Sequence, residues 1–160
     1  MKYYIADDED PEFATSEQRY VDYIRSVWDR LPPDLRLLRD RRAPFSPQNI
    51  YLNDSNVQRV HADFGSKSVK IVLLGESLAE DYSHIGTRLF TLSYGMVQDL
   101  TCNGKYDNDF PFGALQSDHI WDEIEVLKPG LFEHRMLFAG SGWVEISVIF
   151  GEFSIIYTDT

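Results

Sequence analysis

LFEHRMLFAGSGWVEISVIFGEFSIIYT, residues 131–158, is the stretch whose reading decides the fold. Its apolar side chains recur with a period of two, as in strands that bury one face. Leu131–Ala139, Trp143–Phe150 and Phe153–Thr158 are therefore predicted as three antiparallel strands. In the middle one, Val144, Ile146, Val148 and Phe150 share a face, and Glu145, Ser147 and Ile149 share the other. Gly140-Ser141-Gly142 separates the first pair of strands. Gly151-Glu152 separates the second, with glycine at the first central position of a type II′ turn. Separators this short predict a meander.

The same rhythm extends back towards residue 51. Lys128-Pro129-Gly130 is a turn, and Ile120–Leu127 before it fits two periods. Ile120, Ile124 and Leu127 have helical spacing, whereas Ile124 and Val126 suit a strand with Glu123 and Glu125 outward; the strand is preferred. Thr101–Gly113, rich in Asn, Asp and Gly, reads as a long loop. Arg88–Val97 reads as a strand with Phe90, Leu92, Tyr94 and Met96 on one face, and Glu76–Gly86 as polar and broken. Val69, Ile71 and Leu73 alternate with Ser68, Lys70 and Val72, and Asn56–Phe64 is a strand before them. Gly65-Ser66-Lys67 is the hairpin turn between those two.

Towards the N-terminus the period changes. Tyr3–Ala6 reads as a short strand, and Asp7–Glu12 as an exposed acidic turn. Thr15 and Gln18 have capping-box spacing. Tyr20, Ile24, Val27, Trp28 and Leu31 then form one helical stripe, which Pro32-Pro33 ends. A short helix or turn at Asp34–Asp40 carries Leu35, Leu37 and Leu38. Arg36, Arg39, Arg41 and Arg42 form a basic cluster, followed by a link marked by Pro44 and Pro47. The predicted fold is α+β: a mainly antiparallel sheet of about six or seven strands with an N-terminal amphipathic helix packed against it. With 160 residues, 1–160 is expected to be one domain, helical over residues 1–48 and sheet-forming over residues 49–160.

Fifteen Lys and Arg against 26 Asp and Glu give a net charge of 15 − 26 = −11. Such a surface repels phosphate, which argues against direct nucleic-acid binding and against docking on anionic membranes. It attracts a basic protein partner. Cys102 is the one cysteine, so no intrachain disulfide forms, which fits a reducing, cytoplasmic setting. Residues 1–8 lack the apolar run of a signal peptide, and no window approaches a membrane span.

Catalytic and cofactor patterns are sparse. Neither GxGxxG nor GxxxxGK[ST] occurs, and neither HExxH nor CxxC. His61 and Asp63 lie two apart on a strand, and Asp118, His119 and Asp122 cluster; each set needs further ligands to hold a metal. Asn103–Asp109 has the composition of a calcium loop but not the EF-hand spacing, and reads as a solvated turn. Cys102, with His84, His119 or His134 as a base, is a candidate nucleophile against the simpler reading of a small apolar filler. Ser141 stands in a hairpin rather than in a GxSxG elbow. Acid–base work by paired carboxylates needs two environments in one cleft, whereas the runs Asp7–Glu12 and Asp118–Glu125 read as solvated faces. No cofactor or metal is expected.

Recognition chemistry is better represented. Tyr106, Asp107, Asp109, Phe110 and Phe112 lie in one segment, and Asp118 and Trp121 follow. Aromatics framed by acids are the makings of a binding hot spot. The alternative is that Phe110 and Phe112 tuck this segment onto the sheet.

The order of features carries one resemblance. Tyr51-Leu52-Asn53-Asp54-Ser55-Asn56-Val57 opens the sheet-forming region, and Glu133-His134-Arg135-Met136-Leu137-Phe138 and Trp143–Phe150 come near its end. Residues 50–158 resemble small β-rich bacterial proteins that have a leucine, histidine, aspartate opening, with Asn53 standing here in place of the histidine. Some relatives of those proteins are immunity proteins of contact-dependent or polymorphic toxin systems. The resemblance implies a non-catalytic protein-binding module that blocks a basic toxin. The other readings are a small hydrolase with a polar or metal site of another pattern, and a structural or oligomeric component.

Overall fold

The computed structural model describes residues 12–39, 50, 52–78, 84–106, 118–139 and 142–160. The elements are α1 (Phe13–Val27), a single 3₁₀ turn (Trp28–Arg30), α2 (Pro33–Arg39), and strands β1 (Asn56–Asp63), β2 (Ser68–Leu78), β3 (His84–Gly95), β4 (Asp99–Tyr106), β5 (Asp118–Lys128), β6 (Leu131–Ala139), β7 (Gly142–Phe150) and β8 (Glu152–Asp159). This is an α+β fold with an N-terminal helix and a large antiparallel sheet region. The predicted Tyr3–Ala6 strand lies outside the described residues.

The strand order is β4-β7-β6-β5-β1-β2-β3-β8. It divides into two four-stranded halves, β5-β6-β7-β4 and β1-β2-β3-β8, joined between β1 and β5 by one residue pair, Asn56 with Asp118. The expectation of six or seven strands is therefore corrected to eight among the described residues, in two halves. The added strand is β4, which covers residues 101–106 of the predicted loop. Its Thr-Cys-Asn-Gly composition has no apolar alternation, and backbone pairing with β7 makes it a strand.

The predicted C-terminal meander is corrected too. β6 pairs with β7, but β8 pairs with β3 across the other half. Chain segments β3–β4 and β7–β8 run alongside each other as one long antiparallel ribbon, and both bend at the same level. Gly95 pairs with Glu152 on one side of the bend and Asp99 with Ile149 on the other. Hydrogen bonds from Gln98 N–H to Ile149 O (2.8 Å) and from Gly151 N–H to Gly95 O (3.1 Å) tie the corner. Such bends carry strands from one packed sheet to the next. A Cβ on Gly151 would stand 3.1 Å from the Met96 Cβ, so bulk at the corner is restricted. Met96, predicted to face the core, instead has φ 52° and is 60% exposed, because the corner turns it out.

The inner faces of the halves supply the core: Val69, Ile71 and Leu73 from β2; Phe90, Leu92 and Tyr94 from β3; Met136 and Phe138 from β6; and Val144, Ile146, Val148 and Phe150 from β7. The alternation predicted for β2, β3, β6 and β7 places these buried residues. Tyr94 packs edge-on to Phe150, with centroids 5.0 Å apart.

Helix α1 brings Tyr20, Ile24 and Val27 to this core, and Leu31 and Leu35 extend it. Its start differs from the capping-box expectation. The helix begins at Phe13 with Glu12 at its N-cap and no side-chain cap, so Thr15 already lies in the first turn. α1 also covers a sheet edge. Beyond the Asn56–Asp118 pair the side of β5 away from β6 has no strand beside it among the described residues, and its Ile124 and Val126 N–H groups donate to the Tyr20 and Tyr23 hydroxyls (2.5 and 2.8 Å). Two tyrosines stand in for the carbonyls of a missing strand, as a buried N–H needs an acceptor. On β8, the Ile155 N–H donates to Asp34 of α2 (3.1 Å).

Candidate functional site

Two polar constellations stand out, one on each face of the β5-β6-β7-β4 half. Inside, Tyr94, His134 and Asp122 line up with Arg39. The Tyr94 hydroxyl is 2.8 Å from His134 Nδ1, and His134 Nε2 is 2.9 Å from Asp122 Oδ2. Arg39 pairs with the Asp122 carboxylate and donates to the Asp122 carbonyl at 3.2 Å. A carboxylate only accepts, so Nε2 carries a hydrogen; in that tautomer Nδ1 accepts from Tyr94. Burial, and then the charge of Asp122, push the Tyr94 phenol well above its ordinary pKa.

The chain has the residue types of a proton relay, but Tyr94, His134 and Asp122 are 1%, 0% and 7% exposed. Acid–base catalysis requires a group to reach a substrate proton. Here each member is spent on its neighbour, and the assembly links β3, β5, β6 and α2. It is a polar strut across the core. The sequence grouped Asp122 with outward carboxylates, and the structure corrects this. The register of β5 shifts between His119 and Trp121, turning Asp122 inward opposite Met136.

The outer face holds a cluster of paired charges that is mostly shielded: Glu123 is 0% exposed and the side chains of Arg135, Glu125 and Glu133 are 14% exposed, so the expectation of a solvated face is corrected for Glu123 as well as for Asp122. Register places Glu123 (β5), Arg135 (β6), Ser147 (β7) and Thr101 (β4) in one row across the strands, and Glu125, Glu133, Ile149 and Asp99 in the next. Arg135 binds Glu133 as well as Glu125 (2.8 Å) and Glu123 (3.3 Å). The Ser147 hydroxyl donates to Glu133 at 2.6 Å. Burial opposes the Arg135 charge, but its hydrogen bonds to Glu125 and Glu133 outweigh that and raise its pKa. The adjoining row holds Trp121, Leu137, Glu145 and Asn103, and Trp143, 40% exposed, lies beyond. The face thus grades from aromatic to acidic.

Of the residues expected to bind a partner, Asp107, Asp109, Phe110 and Phe112 lie outside the described residues. Tyr106 ends β4 opposite Gly142, and Asp118 begins β5 opposite Ala139. Both termini are therefore at the end of the sheet where β6 turns into β7. Trp121 is on the outer face, partly buried, opposite Leu137. Arg135, Glu133 and Ser147 were not singled out from the sequence. Their signal was the i, i+2 alternation of charge along β5 and β6, which shows its meaning only once the strands are aligned.

The other candidates disperse. Asp63 accepts from the backbone of Gly65 and Ser66 (2.9 and 3.2 Å), and hydrogen bonds led by the Ser66 side chain hold its carboxyl below the usual range. It is therefore committed to the β1–β2 turn. Among the described residues, no three His, Cys, Asp or Glu side chains gather as for a metal. Cys102 is exposed, and partial burial pushes its thiol pKa up, the reverse of an activated nucleophile. Both His134 ring nitrogens are engaged elsewhere. Asn103–Tyr106 is strand rather than cation-binding turn. Among the described residues, no helix is long and apolar enough to cross a membrane. No family model, curated protein or solved structure matches the chain.

Proposed function

We propose that this chain is a non-catalytic binding module whose acidic outer sheet face takes a basic protein. A cytoplasmic immunity protein that occludes a toxin is the form of that function closest to the sequence resemblance. The observation that carries the reading is the net charge of −11 on the chain. Exposed Trp143, with partly buried Trp121 in the adjoining row, supplies an apolar anchor at the end of that face. Acidic groups speed encounter with a cationic surface, and the aromatics supply adhesion on contact. A site shaped for phosphate is a natural target for such a face.

The test is capture of partners from the native cell by the wild-type chain and by a variant carrying Glu125→Gln, Glu133→Gln and Glu145→Gln. The expected partner is basic, is lost from the variant, and is released by moderate salt. Recovery of no basic partner, or of one indifferent to both the substitutions and the salt, overturns the reading.

A further inference from the structure

The two halves have four lateral edges, and three of them carry devices that discourage another strand from adding. The β5 edge is occupied by Tyr20, Tyr23 and Arg39. The β8 edge is engaged by Asp34 at Ile155. β1 is bulged against β2 between Val57 and Arg59, and it bears exposed Arg59 and His61. The β4 edge differs. Its register with β7 is unbroken from Asp99 to Tyr106, and nothing among the described strands pairs with its other side. Thr101, Cys102, Asn103 and Gly104 are exposed, and the strand contains no proline.

We propose that β4 is a docking edge, to which an extended segment of a basic partner adds as a further antiparallel or parallel strand. This rests on the basic-partner reading above and specifies how the partner is held. Main-chain hydrogen bonds along the edge supply affinity, and side chains on alternate residues supply selectivity. Charge selects the occupant. Asp99 of β4 and Glu145 of β7 share the outer face, on a chain of net charge −11. A second copy of this chain brings its own −11 to the edge and is repelled, whereas a lysine-rich segment is attracted.

The probes are a capped peptide alternating lysine and valine, the same peptide methylated on every second backbone nitrogen, and a glutamate–valine counterpart. Two readouts report on the edge in the wild-type chain: hydrogen exchange of the amides of residues 99–106, and the alkylation rate of Cys102, the single cysteine. The lysine–valine peptide is expected to slow both. The methylated form should bind at least about tenfold more weakly, as expected for the loss of one or two hydrogen bonds. The glutamate–valine peptide should leave both readouts unchanged. Equal binding of the methylated and unmethylated peptides, with β4 unprotected, overturns the edge while leaving the acidic face in place. Binding of the glutamate–valine peptide as strong as that of the lysine–valine peptide overturns charge selection, and absence of any binding overturns the proposal outright. Partner capture from cells is scored separately, so failure of the edge and failure of the basic-partner reading are distinguishable.

Discussion

At the scale of single residues, the chain spends its buried polar groups on cohesion. Asp122 accepts from both Arg39 and His134. Asp122→Ala removes the carboxylate shared by a part-buried guanidinium and a buried imidazole, a loss of about 3–5 kcal/mol; a urea titration checks it. Tyr94 gives a pH signature. Its folded pKa is raised, so the unfolded chain loses that proton first as pH climbs. Its contribution is complete below the unfolded value, about 10, and is lost as pH rises from there towards the folded pKa. Stability measured across that window should fall less steeply in Tyr94→Phe than in the wild type. Equal slopes would show that the phenol does not stay protonated in the core. Ile146, 3% exposed, should cost about 2–5 kcal/mol when cut to alanine.

Elements are held by how their edges are satisfied. A helix would ordinarily cover a sheet face, but α1 also serves the β5 edge through two hydroxyls. Tyr20→Phe keeps the ring and strands the Ile124 N–H, at a cost of about 1–3 kcal/mol. The exchange rate of that amide should rise more than the global loss accounts for. At β4 the constraint is steric: a Cβ on Gly104 would stand 2.6 Å from the Trp143 carbonyl oxygen. Backbone cannot yield there as a flexible side chain would, so Gly104→Ala should loosen the β4–β7 pairing by about 1–3 kcal/mol. Faster exchange confined to residues 99–106 is the expected readout. These devices were only partly legible in advance. The tyrosine at position 20 reads correctly as core, but nothing in its spacing says that its hydroxyl will meet residue 124. β4 was missed because an edge strand with exposed side chains needs no apolar alternation.

The whole molecule is governed by its excess of acid. Eleven net negative charges repel one another in the compact state. Added sodium chloride should therefore raise the melting temperature between about 0.01 and 0.15 M, as the screening length shortens from about 30 to 8 Å. A flat or falling melting temperature would mean that the Arg135 and Arg39 pairs, which salt weakens, outweigh the repulsion. The same charge predicts that association with a cationic partner slows as salt rises. The two halves join through a single residue pair between β1 and β5 and through the double ribbon formed by β3–β4 and β7–β8. The helical layer and the Tyr94–His134–Asp122–Arg39 strut reinforce this arrangement.

Sequence alone determined the α+β class, the helical stripe of α1, the alternation that buries β2, β3, β6 and β7, and the acidic character of the surface. Each follows from local period or composition, which a linear reading contains. Tertiary structure decided that β8 leaves β7 for β3, that Asp122 turns inward at a register shift, and that Glu123, Glu125 and Glu133 converge on Arg135. Those outcomes depend on which strands lie side by side and in what register. Pairing is a relation between distant segments, and the period of any one segment leaves it undetermined.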